Sequence, residues 1–180
     1  MNRSACYQCR RGSIFAFHRI IPTVWLLLLL IMPTTAFSSP AGELFTTWEG
    51  VEVDKCASAW LIRRFVDTDA RFRMVPRGQM IREGLPFDTP QGEFRVSHRQ
   101  TTFESILKHY RLTEPALLQL ALIVRDVEMK QWDKTPLDET RGLEAIIYGI
   151  SLKEGVGIAA LEKSFPVFDY LFEYLKKMER

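Results

Sequence analysis

Two sets of charged side chains in this sequence could do chemistry. Lys55, Arg63, Arg64, His98 and Arg99 are cations of the kind that hold a tetrahedral oxyanion. Arginine suits the task best, because its planar fork gives two parallel hydrogen bonds. His98, Glu104 and Asp126, with Asp54 and Asp88 as further donors, offer instead an imidazole and carboxylates suited to zinc, manganese or iron. A divalent metal would be the cofactor this second set implies, and a water bound to it could serve hydrolysis. Its spacing matches no ligand motif, and three of its members have structural uses. Asp54 is placed as a helix N-cap, Glu104 as the third residue of a capping box, and Asp88 in a turn-rich loop that favours aspartate anyway. His109, beside Lys108, reads as a helix-surface residue, and Asp126 and Glu128 could equally solvate the outer face of a helix end.

The elements that must position these residues begin with Thr47 to Asp67, TWEGVEVDKCASAWLIRRFVD. From Asp54 the apolar spacing Ala57, Trp60, Leu61, Arg64, Phe65 marks one face of a helix, and it places Arg64 on the buried side. A guanidinium there must be paired or lie along a cleft, because an unpaired buried charge costs several kcal/mol. It serves either as a ligand donor or snorkels past Trp60 to a surface carboxylate. Arg71 to Val75 alternates as a strand, closed by Pro76-Arg-Gly, and Gly92 to His98 reads as a second strand that pairs with it in a small sheet. Thr101-Thr-Phe-Glu104 opens a helix through Ile106, Leu107 and Tyr110. Thr113-Glu-Pro opens another, running to about Trp132, with Leu117, Leu120, Ala121 and Val124 inward. A shorter helix is expected around Leu143 to Leu152. Pro166 then begins or kinks a last helix striped with Phe165, Phe168, Leu171, Phe172 and Leu175. The fold class expected is α+β, a helix-dominated single domain with a small sheet.

An N-terminal signal peptide precedes that domain. Arg3, Arg10, Arg11 and Arg19 lead into the apolar run Val24 to Met32, and Ala36 and Ser38 stand at the small-residue positions of a cleavage site. The run is shorter than the roughly 20 residues a membrane span needs. Residues 1–38 are therefore expected to be cleaved, with retention as an anchor the alternative and the only route to a membrane. The domain is residues 39–180, exported to the periplasm or secreted. Removing residues 1–38 takes away four of the 24 basic residues and none of the 22 acidic ones, which turns a formal charge of +2 slightly negative. No basic run remains to serve a nucleic-acid partner. The Cys6-Cys9 pair falls in the signal segment, and Cys56 alone cannot form a disulfide within the exported domain.

Four blocks of the chain, DKCASAWLIRRFVDTDARF, PFDTPQGEFRVSHRQTTFESILKHY, EPALLQLALIVRDVEMKQW and FPVFDYLFEYL, together resemble the chromate-resistance exported protein family. That family is similar to the C-terminal domain of the chromate-resistance regulator B. The resemblance covers roughly residues 45–178. It implies an association with chromate tolerance and with binding or sensing of chromate or a related oxyanion. The regulator's DNA-binding half does not carry over, because a signal sequence stands in its place here. The regulator pattern also tends to have a cysteine before the TFE and a histidine before the aspartate at Asp126, where this chain has Thr101 and Arg125.

Three functions follow as expectations. The first is an exported oxyanion-binding protein using Lys55, Arg63, Arg64, His98 and Arg99. The second is a metal-dependent enzyme of unknown substrate using His98, Glu104 and Asp126. The third is a non-catalytic partner-binding module of envelope stress. Chromate reduction by the chain alone would take three electrons, for which one thiol and no dinucleotide, haem or iron–sulfur motif are available. Neither His98 nor His109 stands near a nucleophile elbow.

Overall fold

Five residues just ahead of the charged helix, LFTTW at Leu44–Trp48, form the central strand β1 of the computed structural model, which describes residues 42–129 and 137–178. β1 pairs in parallel with β2, Arg71–Val75, from Leu44 opposite Arg71 to Trp48 opposite Val75. On its other edge it pairs, again in parallel, with the two-residue strand β3, Leu85–Pro86. The sheet order is β2-β1-β3. Pro86 has no amide to give a ladder, and it sits on an edge strand where none is required.

This corrects the expected sheet. Gly92 to His98 forms no strand beside β2; its only ladder contact among the described residues is a single bridge from Phe94 to Phe87. Parallel strands need a crossover, and the charged helix supplies it between β1 and β2.

That helix, α1, spans Val53–Leu61, and every one of its residues is buried. It lies between the other helices: α2, Thr102–Tyr110; α3, Pro115–Met129; α4, Asp138–Glu154; and α5, Ile158–Met178. A helix buried all round normally carries apolar residues on every face. Asp54, Lys55 and Ser58 break that rule, so each must find partners inside.

At Ile62–Val66 the α1 path continues as a π turn, closed by the Asp67 amide donating to the Ile62 carbonyl at 2.8 Å. The wider turn takes more residues per revolution than an α-helix and so breaks the 3.6-residue register. Arg64 consequently leaves the buried face that the stripe predicted and lies half exposed. Trp60 stays in the core, its ring centroid 5.5 Å from Phe65 and 5.6 Å from Phe172. Such edge and tilted pairs contribute roughly 0.5–1.5 kcal/mol each beyond the area they bury.

The remaining helices follow their local signals with adjusted ends. Thr101 and Glu104 close the expected capping box on α2, with the Glu104 amide donating to Thr101 Oγ1 at 3.2 Å and the Thr101 amide to Glu104 Oε2 at 2.8 Å. Pro115 opens α3, whose expected last residues lie outside the described ones. α4 is longer than the Leu143 to Leu152 reading. α5 starts at Ile158, so Pro166, expected to begin or kink the last helix, does not begin it but stands in its interior. Phe168, Phe172 and Leu175 are its buried stripe, with Phe165 and Leu171 partly buried beside them. The expected signal segment, residues 1–38, lies outside the described residues. No helix among those described is long and apolar enough to cross a membrane.

Candidate functional site

Buried charge concentrates where α1 begins. Glu52, Asp54, Lys55, Asp88 and Glu128 meet in a cleft of roughly 280 Å³, walled also by Trp48, Arg77, Pro90 and Val96. Lys55 is only 3% exposed. Its ammonium donates to Glu52 Oε2 at 2.6 Å and to the Gly50 carbonyl at 3.3 Å, and lies 3.6 Å from Asp88 Oδ2. The other Glu52 oxygen stands 3.6 Å from the exposed Arg77 guanidinium. Glu52 therefore bridges two cations, one at the floor of the cleft and one at its mouth. Gly50 makes room for this bridge: its φ of 131° disfavours other residues, and a Cβ there would come 2.8 Å from Glu52 Oε1.

Asp54 is not the N-cap of α1. Glu52 takes that place, without a side-chain cap bond, and Asp54 sits in the first turn. Its carboxyl instead caps α2, accepting from the Thr102 amide at 2.6 Å and the Phe103 amide at 2.8 Å, with Ser58 Oγ donating to it at 3.3 Å. Thr102 ties the two aspartates together, because its hydroxyl donates to Asp88 Oδ1 at 2.9 Å. Asp88 itself has a φ of 50°, a left-handed conformation that aspartate tolerates better than most residues. Burial pushes the Asp54 carboxyl up to about 8, with the charge of Asp88 adding to the effect and the Phe103 and Thr102 amides opposing it. Burial also raises Asp88, to about 6, against the pull of Lys55 and the Thr102 hydroxyl. A cleft holding carboxyls displaced this far has the marks of a functional site.

Of the residues expected to hold an anion, only Lys55 lies in this cleft. Arg64 lies beyond the end of α1, in the π turn, and does not line the cleft. Arg64 Nε donates to Asp169 Oδ1 at 2.9 Å, and a second guanidinium nitrogen bonds the other Asp169 oxygen. Trp60 Nε1 donates to the same Oδ1 at 2.8 Å. The reading of Arg64 as a side chain reaching past Trp60 to a surface carboxylate is the one the structure bears out. Arg63 lays its guanidinium 5.4 Å from the centre of the Phe72 ring, and its buried Nε has no hydrogen-bond partner among the described residues. His98 and Arg99 are exposed in the turn closed by the Ser97 amide to the Gln100 carbonyl at 2.9 Å.

The residues expected to hold a metal divide in the same way. Asp54 and Asp88 share the cleft, but Glu104 and Asp126 are engaged elsewhere. Arg125 Nε donates to Glu104 Oε1 at 2.7 Å, and its Nη2 to the Arg99 carbonyl at 2.9 Å. A guanidinium thus neutralises the carboxylate that a metal would need. Asp126 Oδ2 accepts from the Leu137 amide at 2.8 Å and from Thr140 Oγ1 at 2.7 Å, fixing the start of α4. Among the described residues, no three histidine, cysteine or acidic side chains are grouped to hold one ion. His109 packs edge-on against Phe94 and lies 3.5 Å from Glu93. Cys56 is no nucleophile either, since burial pushes its thiol up to about 12.

Glu52, Arg77 and the cleft role of Glu128 escaped the sequence analysis. Glu52 had a local signal, three residues ahead of Lys55 on the same helix start. Arg77 and Glu128 come from distant elements and had none.

The model of the ChrB C-terminal domain matches residues 45–175, nearly all of the described chain. The chain belongs to the ChrB C-terminal domain family. This is the chromate-resistance family that its four sequence blocks resemble. Over 134 residues it is 29% identical to Protein ChrB of Cupriavidus metallidurans, across 74% of this chain and 41% of that protein. The ChrB-type domain thus spans well under half the length of this curated relative. No solved structure matches it. Within the ChrB-type domain, Arg125 and Glu104 form an ion pair that joins α3 to the start of α2.

Proposed function

We propose that this ChrB-type domain is an exported oxyanion receptor of chromate resistance, which holds its anion between Lys55 and Arg77 in the cleft at the start of α1. The observation that carries this reading is the Glu52 carboxylate, which bridges the two cations. A carboxylate is the protein's own counterpart of two oxyanion oxygens, and a tetrahedral anion displacing it would take over the Lys55 hydrogen bond and the ion pair with Arg77. Lys55 is desolvated, so its attraction for an anion is screened less than that of a surface lysine. Arg77, at the mouth, provides entry. Arg63, Arg64, His98 and Arg99 are left out of the site because none of them lines the cleft. Export to the periplasm or beyond rests on the basic, apolar and small-residue order of residues 1–38.

The test is a thermal-shift and calorimetric titration of the protein with chromate at constant ionic strength. A ligand at about 100 times its Kd stabilises by about 2.7 kcal/mol, a shift of several degrees in a domain of this size. Arg77→Ala, at an exposed position, is expected to weaken binding, Lys55→Met to abolish it, and Glu52→Gln to tighten it by removing the internal competitor. Equal affinity in wild type and Glu52→Gln would sink the placement of the anion.

A further inference from the structure

Four carboxyl side chains and two cations line this cleft, a balance hostile to a bare dianion. Resting on the oxyanion reading above, we propose that Asp88 makes the cleft select oxyanions that carry a proton, accepting their O–H, and turn away fully deprotonated ones such as sulfate.

The geometry places an acceptor beside the anchoring donor. Asp88 Oδ1 is occupied by the Thr102 hydroxyl at 2.9 Å, whereas Oδ2 points toward Lys55 Nζ at 3.6 Å. That separation is beyond a good hydrogen bond, so Oδ2 keeps capacity to accept another proton. An oxyanion oxygen bonded to Lys55 falls within reach of Oδ2. If that oxygen is bare, two anionic oxygens are forced together at a buried position, where repulsion is weakly screened. If it carries a proton, the same contact becomes a charge-assisted O–H···O hydrogen bond, among the strongest a protein makes. Lys55 then holds one oxygen while Asp88 reads whether a proton is present.

The surroundings keep Asp88 in this role. Its position is fixed by its own amide donating to the Phe94 carbonyl at 2.8 Å, as well as by Thr102. The charged and titratable groups around it are Lys55 and Glu52 at the start of α1, Asp54 one residue further back, Glu128 on α3 and Arg77 at the mouth. Asp54 holds its own proton to about pH 8 and is an uncharged neighbour at neutrality. Glu128 and Glu52 add to the penalty on a dianion. Chromate and phosphate both have a protonated form populated near neutral pH; sulfate has none.

The experiment is calorimetry of the protein at pH 7 with inorganic phosphate, chromate and sulfate, in wild type and Asp88→Asn. Wild type should bind sulfate at least about a hundredfold more weakly than phosphate, well inside the roughly 10⁴-fold discrimination open to a site built to hydrogen-bond a ligand O–H. Asp88→Asn, which tolerates the left-handed backbone and can donate its amide N–H to a bare oxygen, should bring the two anions within a few-fold. Wild-type affinities for phosphate and sulfate within threefold of each other would overturn the inference while leaving the oxyanion reading intact. The wild-type ratio decides this even if Asp88→Asn fails to fold. Binding of no anion by wild type or Glu52→Gln would remove the oxyanion reading and the selectivity with it.

Discussion

Asp54 should make the folded protein more stable in mild acid than at neutral pH. Its carboxyl is 2% exposed and its pKa is raised from 3.8 to about 8, chiefly by burial. Between those values the folded state keeps a proton that the unfolded chain has released. Stability is therefore lost as pH rises through this window, at about 1.4 kcal/mol per pH unit. From pH 5 to pH 7 the loss attributable to Asp54 is on the order of 3 kcal/mol, with Asp88, raised to about 6, adding to the fall in the acid part of the window. Above pH 8 the decline from Asp54 ends, because both states are then ionised. Asp54→Asn imitates the protonated acid and keeps an oxygen for one of the two α2 amides. It should cost a roughly constant 1 kcal/mol or so for imperfect capping, while flattening the pH profile. Urea denaturation followed by circular dichroism at unit steps from pH 5 to 9, at fixed salt, measures both slopes. Parallel profiles for wild type and Asp54→Asn would refute the reasoning. They would mean that the helix N-terminal amides, with Lys55 nearby, hold Asp54 ionised despite its burial.

Two further outcomes concern charges outside the cleft. Arg125→Leu strips Glu104, a mostly buried carboxylate, of its counter-ion and should destabilise the protein by about 2–4 kcal/mol in chemical denaturation, with Glu104→Gln in the same chain recovering most of the loss; a change under about 0.5 kcal/mol would show the pair to be solvent-screened. Asp169→Ala removes the shared acceptor of Trp60 and Arg64 and should cost about 1–3 kcal/mol, with a change in Trp60 fluorescence; unchanged stability and emission would mean that water replaces the carboxylate freely.

The site's legibility depended on how far apart its parts lie in the chain. Lys55, Asp54 and Asp88 were visible as chemistry-bearing residues, but in two separate sets, lysine as an anion donor and the aspartates as metal ligands. Folding merges them, because Thr102 binds Asp54 with its amide and Asp88 with its hydroxyl. Glu52 was within reach of local reasoning, three residues from Lys55. Arg77, from a surface turn, and Glu128, on α3, carry no local mark of where they converge.

The sequence by itself determined the features set by nearest neighbours in the chain. The capping box at Thr101 and Glu104, the proline at the start of α3 and the aromatic stripe of α5 all follow from bonds and periodicities spanning a few residues. The four sequence blocks likewise carried the family. Only the tertiary structure decided which strands pair, because β1 finds its parallel partners across a helical crossover and no short-range pattern specifies them. It also decided where the charges go. A π turn rotates Arg64 out of the core and onto Asp169, 105 residues on, and Asp54 caps a helix that begins 48 residues later. Burying a charge is tolerable only when such partners arrive, and their arrival is a property of the packed chain.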